Sequence, residues 1–138
     1  MPIRHTILII EDEAAIREIL HEALHTYGYS ALTAATVQEA EEIRHRLDPE
    51  VISLVLADIN LSHTPHGQEG YDLFQRWTEA HPALPFVLMS AAASSLALPA
   101  VRTRSVRFLA KPFDLDALLD VVQALLREET ATTSRSTR

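Results

Sequence analysis

The stretch Ser-Leu-Val-Leu-Ala-Asp-Ile-Asn, residues 53–60, decides the predicted fold, because an apolar run leads directly to an acid at Asp58. Apolar runs of this length are typical of strands that are buried on both faces of a parallel sheet. Three further runs also end at a polar or charged side chain: residues 7–10 before Glu11-Asp12, residues 86–89 before Ser90, and residues 106–110 before Lys111. Since ligands bind at the carboxyl ends of strands in open parallel sheets, these side chains predict one site.

Strand and helix patterns alternate five times along the chain. Strands are predicted over residues 6–10, 30–34, 53–58, 86–90 and 106–110, and helices over residues 14–27, 37–47, 70–80 and from 115 onwards. Between the last two strands, Pro99 is expected to interrupt the helix, leaving a short or kinked one. Five such units with short connections predict an α/β fold, a three-layer α/β/α sandwich around a five-stranded parallel sheet.

Local signals support several of these boundaries. Thr36 followed by Glu39 is a capping-box pattern that starts the second helix, and Gly28 is well placed to end the first. The predicted core faces of the first and last helices are Ile16, Ile19, Leu20, Ala23 and Leu24, and Leu115, Leu118, Leu119, Val122 and Leu125. Residues 130–138 lack apolar periodicity and predict a disordered tail, so the folded domain is expected to cover residues 1–129.

Composition excludes several classes of function. The chain has 138 residues, with 12 Lys and Arg against 19 Asp and Glu, and the net charge of -7 disfavours binding to nucleic acid or to anionic membranes. It has no cysteine, which excludes disulfides, thiolate metal sites and thiol nucleophiles. It also lacks an apolar stretch of about 20 residues and a signal-peptide pattern, so we expect a cytoplasmic protein.

The predicted site suits phosphoryl transfer to a carboxylate. A carboxylate can attack a phosphoryl group and form an acyl phosphate, provided that cations and donors offset the negative charge. Glu11, Asp12 and Asp58 are the predicted ligands of Mg²⁺, which prefers oxygen, with the backbone carbonyl of Asn60 as a further ligand. Asp58 is also the candidate nucleophile. Lys111 would supply an ammonium group and Ser90 a hydroxyl group to the phosphoryl oxygens.

Each of these residues alone has a simpler interpretation. Acids such as Glu11 and Asp12 are favourable at any helix N-terminus, and an isolated Asp58 would be expected to cap a turn. Ser90 alone would be a small residue at a strand end, and Lys111 alone a solvated side chain. Only their joint placement at strand ends favours a site.

As a set, these residues resemble the receiver domain of two-component response regulators, over residues 4–128. The resemblance is carried by Glu11-Asp12, Asp58-Ile59-Asn60, Ser90-Ala91 and Lys111-Pro112-Phe113. It implies the flavodoxin-like strand order 2-1-3-4-5, for which the chemotaxis receiver is a standard example. It also implies Mg²⁺-dependent phosphorylation of Asp58, phosphoryl contacts from Ser90 and Lys111, a cis Lys111–Pro112 peptide, and a switch formed by Ser90 and Phe108.

The resemblance implies a histidine kinase or a histidine phosphotransfer protein as the phosphoryl donor. Such a domain is not an enzyme with a separate substrate; it assists its own phosphotransfer and dephosphorylation and switches a protein-interaction surface. We expect no direct contact with nucleic acid or membrane, and a homodimer is compatible with the pattern. Because the sequence ends soon after the fifth helix, we expect either a stand-alone regulator or a receiver domain from a longer protein.

The chain departs from the family pattern beside the acceptor. Ser62 stands where a proline is usual, and the glycine that opens the third helix arrives late, at Gly70. Residues 62–69 therefore resemble a short insertion. It contains His63 and His66, which suggest a metal pair or a proton-sensitive lid, although exposed loop histidines are commoner.

Three other functions are weighed against this one. An aspartyl phosphohydrolase would usually carry a second aspartate two residues after the nucleophile, where Asn60 stands instead. A phosphorylation-independent binding module is less favoured, since the acceptor, acids, hydroxyl and lysine are all present. A flavin-binding protein shares the fold, but the acids at residues 11–13 would repel the flavin phosphate.

Overall fold

The computed structural model of the protein describes residues 4–48, 50–61 and 67–136. Strands and helices alternate along the chain as β1 (Thr6–Ile10), α1 (Ala14–Thr26), β2 (Ser30–Ala34), α2 (Val37–Arg46), β3 (Ile52–Asp58), α3 (Glu69–Ala80), β4 (Phe86–Ser90), a 3₁₀ turn (Ala93–Ala97), α4 (Pro99–Arg102), β5 (Arg107–Ala110) and α5 (Leu115–Ser136). In this part of the chain, no helix is long and apolar enough to cross a membrane.

The five strands form one parallel sheet in the order β2-β1-β3-β4-β5, which confirms the predicted α/β fold and strand order. Alternate side chains of the central strands point into two separate core layers. One layer contains Leu8, Ile10, Val55 and Ala57, and the other contains Ile7, Ile9, Leu54 and Leu56. These residues are fully buried, as expected for strands that are covered by helices on both faces.

The register of the sheet brings the predicted site residues to one edge. Ile10 pairs with Ala57, Asp58 with Met89 and Ser90 with Ala110. Glu11, Asp58, Ser90 and Lys111 therefore follow or end four adjacent strands at one edge of the sheet. The edge is held by backbone hydrogen bonds, including one from the Lys111 N–H to the Ser90 carbonyl at 2.9 Å. Residues far apart in the sequence therefore meet because four adjacent parallel strands end at the same edge.

The predicted boundaries of the first two helices are supported by their caps. The Thr36 hydroxyl accepts the Glu39 N–H at 3.1 Å, and the Glu39 carboxylate accepts the Ala35 N–H at 2.8 Å. Gly28 has φ of 91°, a left-handed conformation that other residues seldom adopt, so it ends α1 as predicted.

Two residues predicted to face the core are instead exposed. Ile19 is 54% exposed and Leu115 is 39% exposed, whereas Leu20, Leu24 and Leu118 are buried. The apolar stripes of α1 and α5 are wider than the strips of these helices that contact the sheet. Their outer members therefore remain at the surface.

The fourth helix is short, as predicted, since α4 spans only Pro99–Arg102. Pro99 does not interrupt a helix; it occupies the first position of α4, where its missing N–H removes no helical hydrogen bond. A 3₁₀ turn precedes it, and the Tyr71 hydroxyl on α3 accepts the Ala100 N–H at 3.0 Å. The residues after α4 include Arg104, which has φ of 60°.

Helix α5 continues through Ser136, and the disorder expected from Thr130 onwards remains a prediction. Residues 115–136 contain no glycine or proline that would stop the helix. Without apolar periodicity the segment gains little from packing, yet its backbone can continue the hydrogen bonds of α5. Thr137 and Arg138 lie outside the described residues, and the domain boundary at residue 129 remains a prediction.

Replacing Arg104 by glycine should stabilise the domain. A left-handed conformation costs a non-glycine residue about 1–2 kcal/mol, and glycine removes this cost. Glycine also gives the unfolded chain more freedom, which cancels part of the stabilisation. We expect Arg104→Gly to raise the free energy of unfolding by up to about 1 kcal/mol in denaturant titrations. Arg102→Gly, at an exposed position in α4, is the control and should lower it by a similar amount; a fall for Arg104→Gly would contradict the argument.

Candidate functional site

The predicted site residues converge at the carboxyl edge of the sheet. Glu11 is fully buried, Asp58 is 6% exposed and Ser90 is 2% exposed. Buried acids are uncommon in proteins unless they are paired with cations or hydrogen-bond donors. The contacts of Lys111 supply that pairing.

Lys111 lies between the two buried carboxylates. Its ammonium group donates to Glu11 Oε1 and, at 3.0 Å, to Asp58 Oδ2. The peptide bond between Lys111 and Pro112 is cis, the isomer that the resemblance implies. One cation therefore serves two anions, and the negative charge of this cluster exceeds its positive charge.

The three groups change each other's proton affinity. Burial, together with repulsion from Glu11, raises the pKa of Asp58 from 3.8 to about 6, although Lys111 and the Asn60 N–H oppose this change. Burial alone would also raise the pKa of Glu11, but the hydrogen bond and charge of Lys111 outweigh it, and that pKa is lowered. Burial would lower the pKa of Lys111, yet the two carboxylates raise it. Lys111 thus remains charged, and Asp58 is the carboxyl group that titrates nearest to neutrality.

Three carboxylates form a cluster that suits a hard divalent cation. Glu11, Asp12 and Asp58 each offer one oxygen, and these oxygens lie within 4.8 Å of one another. Mg²⁺ is bound in proteins through one or two carboxylates and several waters, so this all-oxygen set fits it. The role of the Asn60 carbonyl as a further ligand remains a prediction.

Asn60 and Ser90 border the acceptor on its other side. The Asn60 N–H donates to Asp58 Oδ1 at 3.1 Å, and its side-chain amide donates to Ser90 Oγ at 3.5 Å. Ser90 Oγ also accepts the Ala92 N–H at 3.0 Å and the Ser95 hydroxyl at 2.7 Å. The structure therefore brings Ser90 into the same network as Asp58, and it adds Ser95, which lies in an Ala- and Ser-rich segment that gave no sequence signal.

Gly70 contacts the backbone of the acceptor directly. A Cβ atom at this position would lie 1.8 Å from the Asp58 carbonyl oxygen and 3.0 Å from Ile59 Cα, and the Gly70 N–H donates to the Ile59 carbonyl at 3.0 Å. A side chain cannot be accommodated without moving α3 away from β3. The glycine that arrives late in the sequence thus lies against the acceptor in space.

The remaining predicted residues lie near the acceptor or outside the described residues. Phe108 is partly buried and packs against the core layer that contains Leu88 and Val101. Its predicted role in a switch remains a prediction. His63 and His66, and the rest of residues 62–66, lie outside the described residues.

A cavity of about 830 Å³ opens beside the acceptor. Its lining combines the site with apolar side chains from α1 and from the segment after β5: Ile16, Ile19, Asp58, Asn60, Lys111 and Phe113. The exposed Ile19 thus belongs to the wall of this cavity. The acceptor carboxylate can be approached from this side.

Comparison with known proteins identifies the family. The family model for the response regulator receiver domain matches residues 7–123. The chain is 33% identical over 117 residues to the response regulator protein FleR and 35% identical over 125 residues to PilR, both from Pseudomonas aeruginosa. These matches cover 84% and 90% of this chain but only 23% and 26% of the two relatives, so the chain spans about a quarter of their length.

Solved structures show the same fold. NtrX from Brucella abortus superposes with a TM-score of 0.81 at 25% identity, over 98% of this chain and 29% of that one. A CheY-like receiver domain protein from Methanospirillum hungatei superposes with a TM-score of 0.80 at 23% identity, over 94% of this chain and 99% of that one.

Replacing Asp58 by asparagine should stabilise the domain in a pH-dependent way. The raised pKa means that the folded state holds the Asp58 proton more tightly than the unfolded state, so ionisation at higher pH disfavours folding. In EDTA, we expect Asp58→Asn to raise the free energy of unfolding by up to about 3 kcal/mol above pH 6. The gain should shrink as pH falls from about 6 towards 3.8 and vanish below it.

The comparison requires denaturant titrations of both proteins across this pH range. Asp72→Asn, which removes the same charge from an exposed position on α3, is the control. A stabilisation by Asp58→Asn that is equal at pH 4 and pH 8 would contradict the raised pKa.

Replacing Gly70 by alanine should destabilise the domain and disturb the acceptor. The added Cβ collides with backbone atoms that cannot rotate away, so we expect a loss of several kcal/mol in the free energy of unfolding. Gly28→Ala is the matched control: it has open space around it but a left-handed φ, and should cost about 1 kcal/mol. Amide NMR shifts at Asp58 and Asn60 should change only for Gly70→Ala; unchanged shifts there would contradict the contact.

Proposed function

This chain belongs to the response regulator receiver family, whose members act in two-component signalling, and we propose that it accepts a phosphoryl group on Asp58. The donor would be a histidine kinase or a histidine phosphotransfer protein. The observation that carries the proposal is the contact of Asp58 Oδ2 with the Lys111 ammonium at 3.0 Å, inside a cluster of acids at the open edge of the sheet.

The proposed transfer is a displacement at phosphorus. A carboxylate oxygen of Asp58 forms a bond to phosphorus while the bond from phosphorus to the donor imidazole nitrogen breaks. The electron pair of that bond returns to the ring nitrogen, and a donor ring that carries a proton on its other nitrogen leaves as neutral imidazole. The product is an acyl phosphate on Asp58, and attack of water on its phosphorus would return the free carboxylate and inorganic phosphate.

The chain supplies separate groups to stabilise the negative charge on the phosphoryl oxygens during this displacement. Lys111 already contacts an oxygen of Asp58 and would contact a phosphoryl oxygen after transfer, while Glu11 keeps the ammonium group in place. Ser90 would donate its hydroxyl to a second phosphoryl oxygen. Donors that are positioned in advance are effective here because they need no reorganisation during the reaction.

Glu11, Asp12 and Asp58 would hold Mg²⁺, with the Asn60 carbonyl as a further predicted ligand. When bound, Mg²⁺ offsets the repulsion between the acceptor and the phosphoryl group. The pKa of Asp58 is raised by burial and by repulsion from Glu11, so its ionised form is unfavourable here and would be stabilised by a bound cation.

The consequence of phosphorylation would be a change in a protein-interaction surface. A phosphoryl group adds negative charge and three acceptor oxygens, which can favour one of two arrangements of Ser90 and Phe108. We also propose that the domain assists its own phosphotransfer and dephosphorylation, and that it acts in the cytoplasm.

An aspartyl phosphohydrolase is not favoured, because Asn60 cannot supply the acidic proton that such an enzyme gives to its leaving group.

Phosphorylation should depend on Asp58 and on Mg²⁺. We expect incubation with acetyl phosphate and Mg²⁺ to increase the intact mass of the protein by one phosphoryl group, and alkaline treatment to remove it because acyl phosphates are base-labile. Asp58→Asn and the addition of EDTA should each abolish the mass increase, while Asp72→Asn should leave it unchanged. Retention of the phosphoryl group by Asp58→Asn would refute Asp58 as the acceptor.

A further inference from the structure

Ser95 is a buried hydroxyl that the transfer chemistry described above does not use. It lies in the 3₁₀ turn after β4 and is 4% exposed, whereas its neighbours Ser94 and Leu96 are exposed. Its hydroxyl donates to Ser90 Oγ at 2.7 Å, the shortest of the three hydrogen bonds that Ser90 Oγ accepts. A buried hydroxyl that points at the hydroxyl of a site residue suggests a role that acts through that residue.

The hydrogen-bond capacity of Ser90 shows what this contact does. A serine hydroxyl has two acceptor lone pairs and one proton to donate. The Ser95 hydroxyl at 2.7 Å and the Ala92 N–H at 3.0 Å occupy the two acceptor positions, and the Asn60 amide makes a longer contact at 3.5 Å. Ser90 is thereby left with its proton to donate. The Ser90 hydroxyl can therefore donate a hydrogen bond to a ligand, and a phosphoryl oxygen is an acceptor for such a bond.

Ser95 also connects the site with the segment that leads to α4. Its N–H donates to the Ala92 carbonyl at 3.1 Å, and its carbonyl accepts the Leu98 N–H at 3.2 Å, immediately before Pro99 starts α4. Movement of Ser90 towards a phosphoryl group would either draw Ser95 with it or break the 2.7 Å bond. The position of this turn is therefore tied to the state of the site.

We propose that Ser95 is a positioning residue, which holds the Ser90 hydroxyl as a donor to the phosphoryl group and couples occupancy of the site to the 3₁₀ turn at residues 93–97. The inference rests on the proposed phosphorylation of Asp58. It adds to that function a residue that hydrogen-bonds Ser90, Ala92 and Leu98 and not the acceptor itself, and it makes the turn a reporter of phosphorylation.

The test measures phosphorylation of the whole chain by acetyl phosphate and Mg²⁺ in a double-mutant cycle. Loss of one hydrogen bond to a group acting in the transition state lowers a rate by roughly two- to tenfold. We expect this decrease in the rate constant for Ser95→Ala and none for Ser94→Ala, the matched control in the same turn. In a Ser90→Ala background, Ser95→Ala should have no further effect, because the group it positions is gone.

A pair of isosteric variants separates the hydroxyl from packing. Ser95→Thr keeps the hydroxyl and Ser95→Val replaces it with a methyl group of the same shape, so the threonine variant should react faster by a similar factor even if both lose stability. The Mg²⁺ affinity measured by calorimetry should be equal in wild type and Ser95→Ala. On adding fluoroberyllate with Mg²⁺, the backbone amide NMR signals of residues 93–97 should shift in wild type and shift less in Ser95→Ala.

The outcomes distinguish this inference from the function on which it rests. If wild type takes up no phosphoryl group on Asp58, the proposed function fails and the role of Ser95 fails with it. If wild type is phosphorylated normally but Ser95→Ala reacts at the same rate, only the role of Ser95 is overturned. It is also overturned if Ser95→Ala slows the Ser90→Ala protein by the same factor as wild type, or if the threonine and valine variants react equally.

Discussion

A single buried ammonium group shared by two buried carboxylates is the interaction on which the site depends. Burying Glu11 and Asp58 would be strongly unfavourable without a cation, and Lys111 is held between them by its position at the end of β5. Burial favours the protonated form of both acids, and Lys111 outweighs it only at Glu11, so the pKa of Glu11 is lowered while that of Asp58 is raised. The ionised site therefore favours ligands that bring positive charge or further hydrogen-bond donors.

The parallel sheet brings these groups together. The four adjacent strands β1, β3, β4 and β5 end at one edge, so the groups at their ends meet regardless of their separation in the sequence. The backbone of Ser90 is fixed by β5 through the Lys111 N–H, while its side chain is fixed by the turn after β4. The main chain and the side chain of Ser90 are therefore held by two different parts of the fold.

Much of this could be predicted from the sequence, because the decisive signals are local. Apolar runs ending in polar residues mark strands such as β1 and β3, and Thr36 with Glu39 marks a helix start. The rest depends on contacts between distant segments. Three such features have no local signature: the exposure of Ile19, the closeness of Gly70 to Asp58, and the hydrogen bond from Ser95 to Ser90. Each is decided by how one element packs on another.

The contact of Gly70 with Asp58 has a consequence for how this chain tolerates change. The bond from the Gly70 N–H to the Ile59 carbonyl joins the residue after β3 to the first turn of α3. Lengthening a loop whose ends are already joined costs little, because the entropy of closure grows only slowly with length. The connection is therefore a place where evolution, or a protein engineer grafting a recognition peptide, can add sequence beside the acceptor while the anchoring glycine keeps the scaffold in register.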